Sequence, residues 1–234
     1  MSHALPNIFV VSNYYTEKLS AERLRACYDL APPRTKAYLE AEMEFVLQKT
    51  SPSMVVLELG CGYGRVLRRL LPSVRTLVGI DTSFPSLRMA VDFVGHEKPV
   101  HVAAMDATRM GFRDHIFDLT ICTQNGLSAF GVDRQQLFAE AARVTRPGGV
   151  VLFSSYADCF WEERLKWFEI QAENGLIGEI DYQATRKNVI VCYDGFQATT
   201  VNAQGFRSLA ATLGLGANII EVDGSSLFCE IVIP

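Results

Sequence analysis

Val55-Val56-Leu57-Glu58-Leu59-Gly60-Cys61-Gly62-Tyr63-Gly64-Arg65 is the stretch on which the fold turns. Val55 to Leu59 is a short apolar run broken only by Glu58, the pattern of a strand covered on both faces in a parallel sheet. Gly60, Gly62 and Gly64 then admit dihedrals closed to other residues and let a ligand approach bare backbone. From Arg65 to Leu71 the apolar residues return at helical spacing, so the turn sets a ligand against amide donors at a helix N-terminus. A dinucleotide-binding turn asks for glycine or alanine three places after its second glycine, so that helix and strand pack closely. That place is Arg65.

The pattern present, Glu-x-Gly-x-Gly-x-Gly over residues 58–64, resembles the turn of the class I, Rossmann-like, S-adenosylmethionine-dependent methyltransferases. The resemblance implies that Glu58, Gly60, Cys61, Gly62 and Gly64 pass under the methionine and ribose of the cofactor. Asp81, followed by Thr82, ends the apolar run Thr76–Asp81 about twenty residues beyond the turn. From such a position a carboxylate accepts hydrogen bonds from both ribose hydroxyls. After a third strand, Val100 to Ala104, the resemblance places Asp106 and Ala107 on adenine, and a carboxylate suits its exocyclic amine. Asp106 capping a local turn is the competing reading. Phe117 to Thr123 is the fourth strand, and Gln124 and Asn125 at its end are assigned to the mouth, against the cofactor's amino-acid end or the methyl acceptor. Many amino methyltransferases of the family carry Asn/Asp-Pro-Pro-Tyr here. Gln124-Asn125-Gly126-Leu127 departs from it, which speaks against nucleic-acid bases and glutamine as acceptors.

Further landmarks follow. Asp133 to Thr145 reads as an amphipathic helix, Arg146-Pro147-Gly148-Gly149 as a turn that ends it, and Val150 to Ser155 as the fifth strand. Ala217 to Asp223 and Leu227 to Ile233 read as a closing antiparallel hairpin. The expected fold is α/β, a seven-stranded mixed sheet, mostly parallel, flanked by helices. An N-terminal helical lid spans residues 1–50, a Rossmann-like core 51–156 and 203–234, and a helix plus β-hairpin cap 157–202.

Within the lid, Met1 to Ser20 reads as an irregular leader with Pro6 and Asn13. Ser20 then caps a helix to about Asp29, Pro32-Pro33 stops it, and another runs from about Thr35 to Lys49. The helix from Ser83 to Val94 is interrupted early by Pro85. The cap helix runs from about Asp158 to Asn174, and Ile180–Thr185 with Val189–Asp194 forms its hairpin around Arg186-Lys187-Asn188. Tyr14, Tyr15, Tyr28, Tyr156, Trp161 and Tyr193 are the candidate acceptor-pocket residues; for any one of the first three, aromatic packing on an amphipathic helix is the favoured reading, and each of the last three is equally an ordinary core aromatic.

The 234 residues, 49% apolar, fit one α/β domain with a modest elaboration. A net charge of -4 argues against a partner held by phosphate neutralisation, and no run is apolar and long enough to span a bilayer. A cytoplasmic protein is expected, with no nucleic acid and no membrane as partner. Six scattered cysteines suggest neither a zinc site nor a disulfide framework.

The expected activity is methyl transfer from S-adenosylmethionine to a small molecule by direct in-line displacement, leaving S-adenosylhomocysteine. No His/Asp or Lys/Tyr constellation supplies a base, so Gln124 and Asn125 are positioning candidates only. The alternatives are a non-catalytic cofactor-binding module and a same-fold enzyme using another nucleoside cofactor.

Overall fold

A computed structural model describes residues 14–95 and 100–234, so Met1 to Asn13 of the expected leader lie outside the described residues. Three helices come first: α1 (Tyr14–Glu17), α2 (Ala21–Asp29) and α3 (Pro33–Leu47). Pro33 starts α3 rather than ending α2, because at the first helical position its missing N–H has no partner to lose. Ser20 stands at the N-cap of α2 but makes no capping bond; the Ala21 amide donates to Ser86 Oγ instead, at 2.9 Å.

Then follow β1 (Val55–Leu59), α4 (Arg65–Leu70), β2 (Thr76–Asp81), α5 (Phe84–Val94), β3 (Val100–Ala104), β4 (Phe117–Cys122), α6 (Gly126–Ala129), α7 (Arg134–Val144) and β5 (Thr145–Tyr156). Pro85 lies in the first turn of α5 and does not interrupt it. The chain closes with α8 (Trp161–Glu173), β6 (Ile190–Val191), β7 (Gln197–Ala198), α9 (Ala203–Ala211), β8 (Asn218–Val222) and β9 (Ser226–Val232).

The sheet is seven-stranded and mixed, in the order β3-β2-β1-β4-β5-β9-β8. Strands β1 to β5 pair in parallel, and β9 runs antiparallel to both β5 and β8. Successive strands add to one side of β1 and then to the other, and the reversal opens a crevice at the carboxyl ends of β1 and β4. Register aligns Leu59 with Ile80, which brings Gly60 beside Asp81. Only glycine fits at Gly79, where a Cβ would stand 2.7 Å from Leu67 and 2.9 Å from Cys61.

Alternate residues of the buried strands feed two cores. Leu57, Leu59, Val151 and Phe153 face α7 and α9, whereas Val56, Leu119 and Leu152 face α3, α4 and α5. A third cluster joins α2 and α3 to α8 and the small hairpin through Tyr38, Tyr156, Phe160, Trp167, Phe168 and Phe196. Phe138 of α7, fully buried, stacks on Phe153 at 4.1 Å. Phe138→Ala should therefore cost about 3–5 kcal/mol in urea unfolding, the usual range for emptying an aromatic core site.

Two further expectations are corrected. Arg146-Pro147-Gly148-Gly149 does not stand outside the sheet: β5 begins at Thr145, and Gly148 and Gly149 bond to Ile233 beyond the end of β9. Gly148 at φ +73° and a register shift opposite Phe117 and Leu119 absorb the distortion. The cap hairpin is likewise shifted: β6 pairs with β7 across Tyr193-Asp194-Gly195-Phe196, with Gly195 at φ +92°. Residues 180–185 form turns joined to the hairpin by the bridge from Ile180 to Cys192. The Asp181 carboxylate holds the Gln183 and Ala184 amides and so ends strand geometry there.

Candidate functional site

The carboxyl ends of β1, β2, β3 and β4 open into one cavity of about 260 Å3. One wall consists of Glu58, Gly60, Cys61, Gly62, Tyr63 and Arg65, then Asp81 and Thr82, then Met105, Asp106 and Ala107. Tyr15 and Tyr28 of the N-terminal helices, Tyr156 at the end of β5, and Trp167, Phe168 and Gln171 of α8 complete the lining. Of the candidates read from sequence, Glu58, Gly60, Cys61, Gly62, Asp81, Thr82, Asp106, Ala107, Gln124, Tyr15, Tyr28 and Tyr156 meet at this cavity.

The glycine turn is tied to the acid of the next strand. The Gly62 amide donates to Asp81 Oδ2 at 2.8 Å and the Ser83 amide to Oδ1 at 2.7 Å. Each carboxylate oxygen keeps a further lone pair for a ligand. Gly62, at φ +52°, could not carry a side chain without strain, and its Cβ would come within 3.0 Å of Leu24. Asp106 Oδ1 caps a local turn, accepting from the Thr108 amide and hydroxyl at 2.8 Å each. That bonding leaves Oδ2 for the cavity.

Several buried polar atoms on this wall have no partner: Glu58 Oε2, Arg65 Nη2 and Gln124 Nε2. Arg65 stacks over the Tyr28 ring at 4.8 Å, and the Tyr28 hydroxyl donates to Gln124 Oε1 at 2.6 Å. Burial pushes the Glu58 carboxyl up to about 8, against the pull of Arg65. Burial also raises Asp81, opposed by the Ser83 and Gly62 amides.

Behind Gln124, fully buried Glu42 of α3 accepts from Ser154 Oγ at 2.5 Å and from the Gln124 amide at 3.2 Å; burial pushes it up to about 7. Both glutamates hold their protons more tightly in the folded chain than the usual carboxylate does. Their stabilising contribution is complete near pH 4.5 and below, and is lost as pH rises through about 7 and 8.

Other candidates fall elsewhere. Asn125, at φ +60°, turns its amide inward: Nδ2 donates to Thr199 O at 2.7 Å and Oδ1 accepts from Ser155 Oγ at 2.8 Å. It fixes the turn from β4 into α6 and does not line the cavity. Gly64, at φ +88°, begins α4 and packs against Val94 and Ala90. Tyr14 bonds Asp194 at 2.5 Å, Tyr193 is 68% exposed, and Trp161 packs with the third cluster, so none of these three reaches the lining. Sequence reading missed Arg65, Phe130, Trp167 and Gln171 as lining residues. Arg65 alone carried a signal, standing where a dinucleotide turn wants glycine.

Residues 56–149 match the family model described as a methyltransferase domain. The demethylmenaquinone methyltransferase of Mycobacterium marinum is 34% identical over 47% of this chain and 44% of its own. The tRNA (carboxymethyluridine(34)-5-O)-methyltransferase of Arabidopsis thaliana is 28% identical over 61% of this chain and 34% of its own. The chain spans about half or less of the length of the curated relatives it matches. A crystal structure of a SAM-dependent methyltransferase from Aquifex aeolicus shares the fold at TM-score 0.60 and 15% identity, over 90% of this chain and 98% of that one. Over residues 56–149, and in the arrangement of its sheet, this chain is thus similar to S-adenosylmethionine-dependent methyltransferases.

Proposed function

We propose that the chain transfers a methyl group from S-adenosylmethionine to a small-molecule acceptor held in the aromatic half of the cavity. The observation that carries this reading is the set of unpartnered atoms. Glu58 Oε2 is an acceptor suited to an ammonium, and Arg65 Nη2 and Gln124 Nε2 are donors suited to a carboxylate. Together they complement an amino-acid zwitterion. Asp81 complements a diol, with the bare backbone of Gly60 and Gly62 leaving room beside it, and Asp106 Oδ2 an amine at the adenine end.

When bound, the sulfonium supplies an activated methyl group, and loss of its positive charge drives the transfer. The chain's own part is alignment and exclusion of water. Tyr28 and Gln124 fix each other through their 2.6 Å hydrogen bond. Tyr15 and Thr16 of α1 lie over the crevice, with Thr16 Oγ1 3.0 Å from Thr82 Oγ1, and in this reading residues 14–50 act as the lid. Holding reacting groups in line is worth about 7–11 kcal/mol in favourable cases. A net charge of -4 and a lining rich in rings favour a small acceptor over RNA.

Calorimetric titration with S-adenosylhomocysteine and with NAD tests the cofactor. The former should bind and the latter should not. Methyl transfer to a panel of small acceptors then tests catalysis, and cofactor binding without turnover on any acceptor would favour a non-catalytic module.

A further inference from the structure

Arg164 of α8 is 1% exposed, and no carboxylate among the described residues pairs with it. Its Nη2 donates to Ala198 O at 2.9 Å and, more weakly, to Thr199 O at 3.4 Å. Nε and Nη1 have no acceptor at hydrogen-bond geometry, and the guanidinium keeps only a weaker contact with the Tyr156 hydroxyl. The guanidinium lies 4.7 Å from the Tyr156 ring centre and 5.4 Å from that of Phe168. Those rings line the cavity, and Trp167, Phe168 and Gln171 follow Arg164 on one face of the same helix at spacings of three, four and seven.

A buried, unpaired charge is costly to maintain. The hydroxyls facing this one do not neutralise it: burial holds Tyr15, Tyr38 and Tyr156 above the ordinary phenol range, so all stay protonated at neutral pH. The region thus holds surplus donors and one surplus positive charge.

We propose that Arg164 is the counter-charge for an anionic methyl acceptor, a small molecule whose carboxylate or phosphoryl group is met by a guanidinium N–H that Ala198 and Thr199 do not take. The proposal rests on the methyltransferase reading of the cavity. Arg164 stands behind the lining rather than in it, so an acid entering the aromatic half displaces the Tyr156 ring from the guanidinium, exchanging a cation–π contact for a charge-assisted hydrogen bond. Arg65, on the glycine-turn wall, serves the cofactor in this arrangement, and Arg164 serves the acceptor.

The test is calorimetric, on the full chain saturated with S-adenosylhomocysteine and titrated with benzoate, phenylphosphonate and the uncharged benzamide. At least one anion should bind about tenfold or more tightly than benzamide, and which anion it is separates carboxylate from phosphoryl recognition. Arg164→Gln should abolish that preference and leave S-adenosylhomocysteine affinity within about twofold of the parent. Arg164→Lys, which keeps the charge and loses the fork, should retain part of it and stands in if the glutamine variant does not fold. Equal binding of benzamide, failure of both anions to bind, a preference that survives Arg164→Gln, or an equal loss of S-adenosylhomocysteine affinity in that variant would each overturn the proposal. Failure of the parent chain to bind S-adenosylhomocysteine would instead remove the methyltransferase reading, with the anion preference still measurable on the unloaded protein.

Discussion

Replacing Asp81 by alanine should weaken S-adenosylhomocysteine binding by about 100- to 10,000-fold. Hydrogen bonds to a charged group contribute about 1.5–3 kcal/mol each, and a ribose diol presents two. Every 1.4 kcal/mol is about tenfold in affinity. The effect reaches beyond the lost ligand contacts, because Asp81 also holds the Gly62 and Ser83 amides at 2.8 and 2.7 Å. Without it the glycine turn loses its tie to β2 and the crevice loses its shape before any ligand arrives. Asp81→Asn, which keeps one acceptor oxygen, should fall between parent and alanine. Calorimetry reads the affinities and thermal unfolding of the free protein reads the structural share. An alanine variant that binds as tightly as the parent would remove Asp81 from the site.

The second large effect has two opposite signs. Glu58→Gln should stabilise the free protein and weaken its complex. The parent glutamate sits in a buried strand with its carboxyl raised to about 8, and the folded state holds a proton that the unfolded chain has released. Stability therefore falls as pH rises from about 4.5 to about 8, and at pH 7 this one group accounts for roughly 3 kcal/mol of the loss. Glutamine carries no charge, so that slope disappears, although its buried amide retains some desolvation cost. A net gain of about 1–2 kcal/mol, or roughly 3–6 °C in Tm, is expected near pH 8.

In the complex the sign reverses. An ammonium facing Glu58 Oε2 favours the ionised carboxylate, so parent affinity should rise between pH 6 and 8 with release of a proton, visible by titrating in buffers of different ionisation enthalpy. The glutamine variant should show a flat profile and about 10- to 100-fold weaker binding at pH 8. A variant that is no more stable than the parent, or that keeps the pH profile, would show that Glu58 is not the buried titrating group.

The centre of the parallel half of the sheet was readable because β1, β2 and β4 leave no residue exposed. Val55–Leu59 and Thr76–Asp81 stand out as apolar runs, and each ends at the site in an element that cannot be core, a glycine turn in one case and an acid in the other. Distances along the chain then fixed which acid stands beside which turn. The other wall left no such trace. Tyr15, Tyr156 and Trp167 line the cavity and Tyr14, Trp161 and Tyr193 do not, although the two sets are chemically alike. Only the packing of α8 against α2 and α3 separates them. Arg164 was hidden for a related reason, since a cation on a charged helix reads as solvated until the hairpin is seen to bury it. Asn125 misled because strand-end position predicts a site, whereas its left-handed backbone spends the amide on Ser155 and Thr199.

The two walls of the cavity come from separate lengths of chain. Residues 58–132 supply one, and residues 15–28 with 156–171 supply the opposing face. A lineage can therefore exchange rings and charges on the opposing face without disturbing the hydrogen bonds between Gly62, Asp81 and Ser83. Selectivity can drift while the shared chemistry is inherited intact.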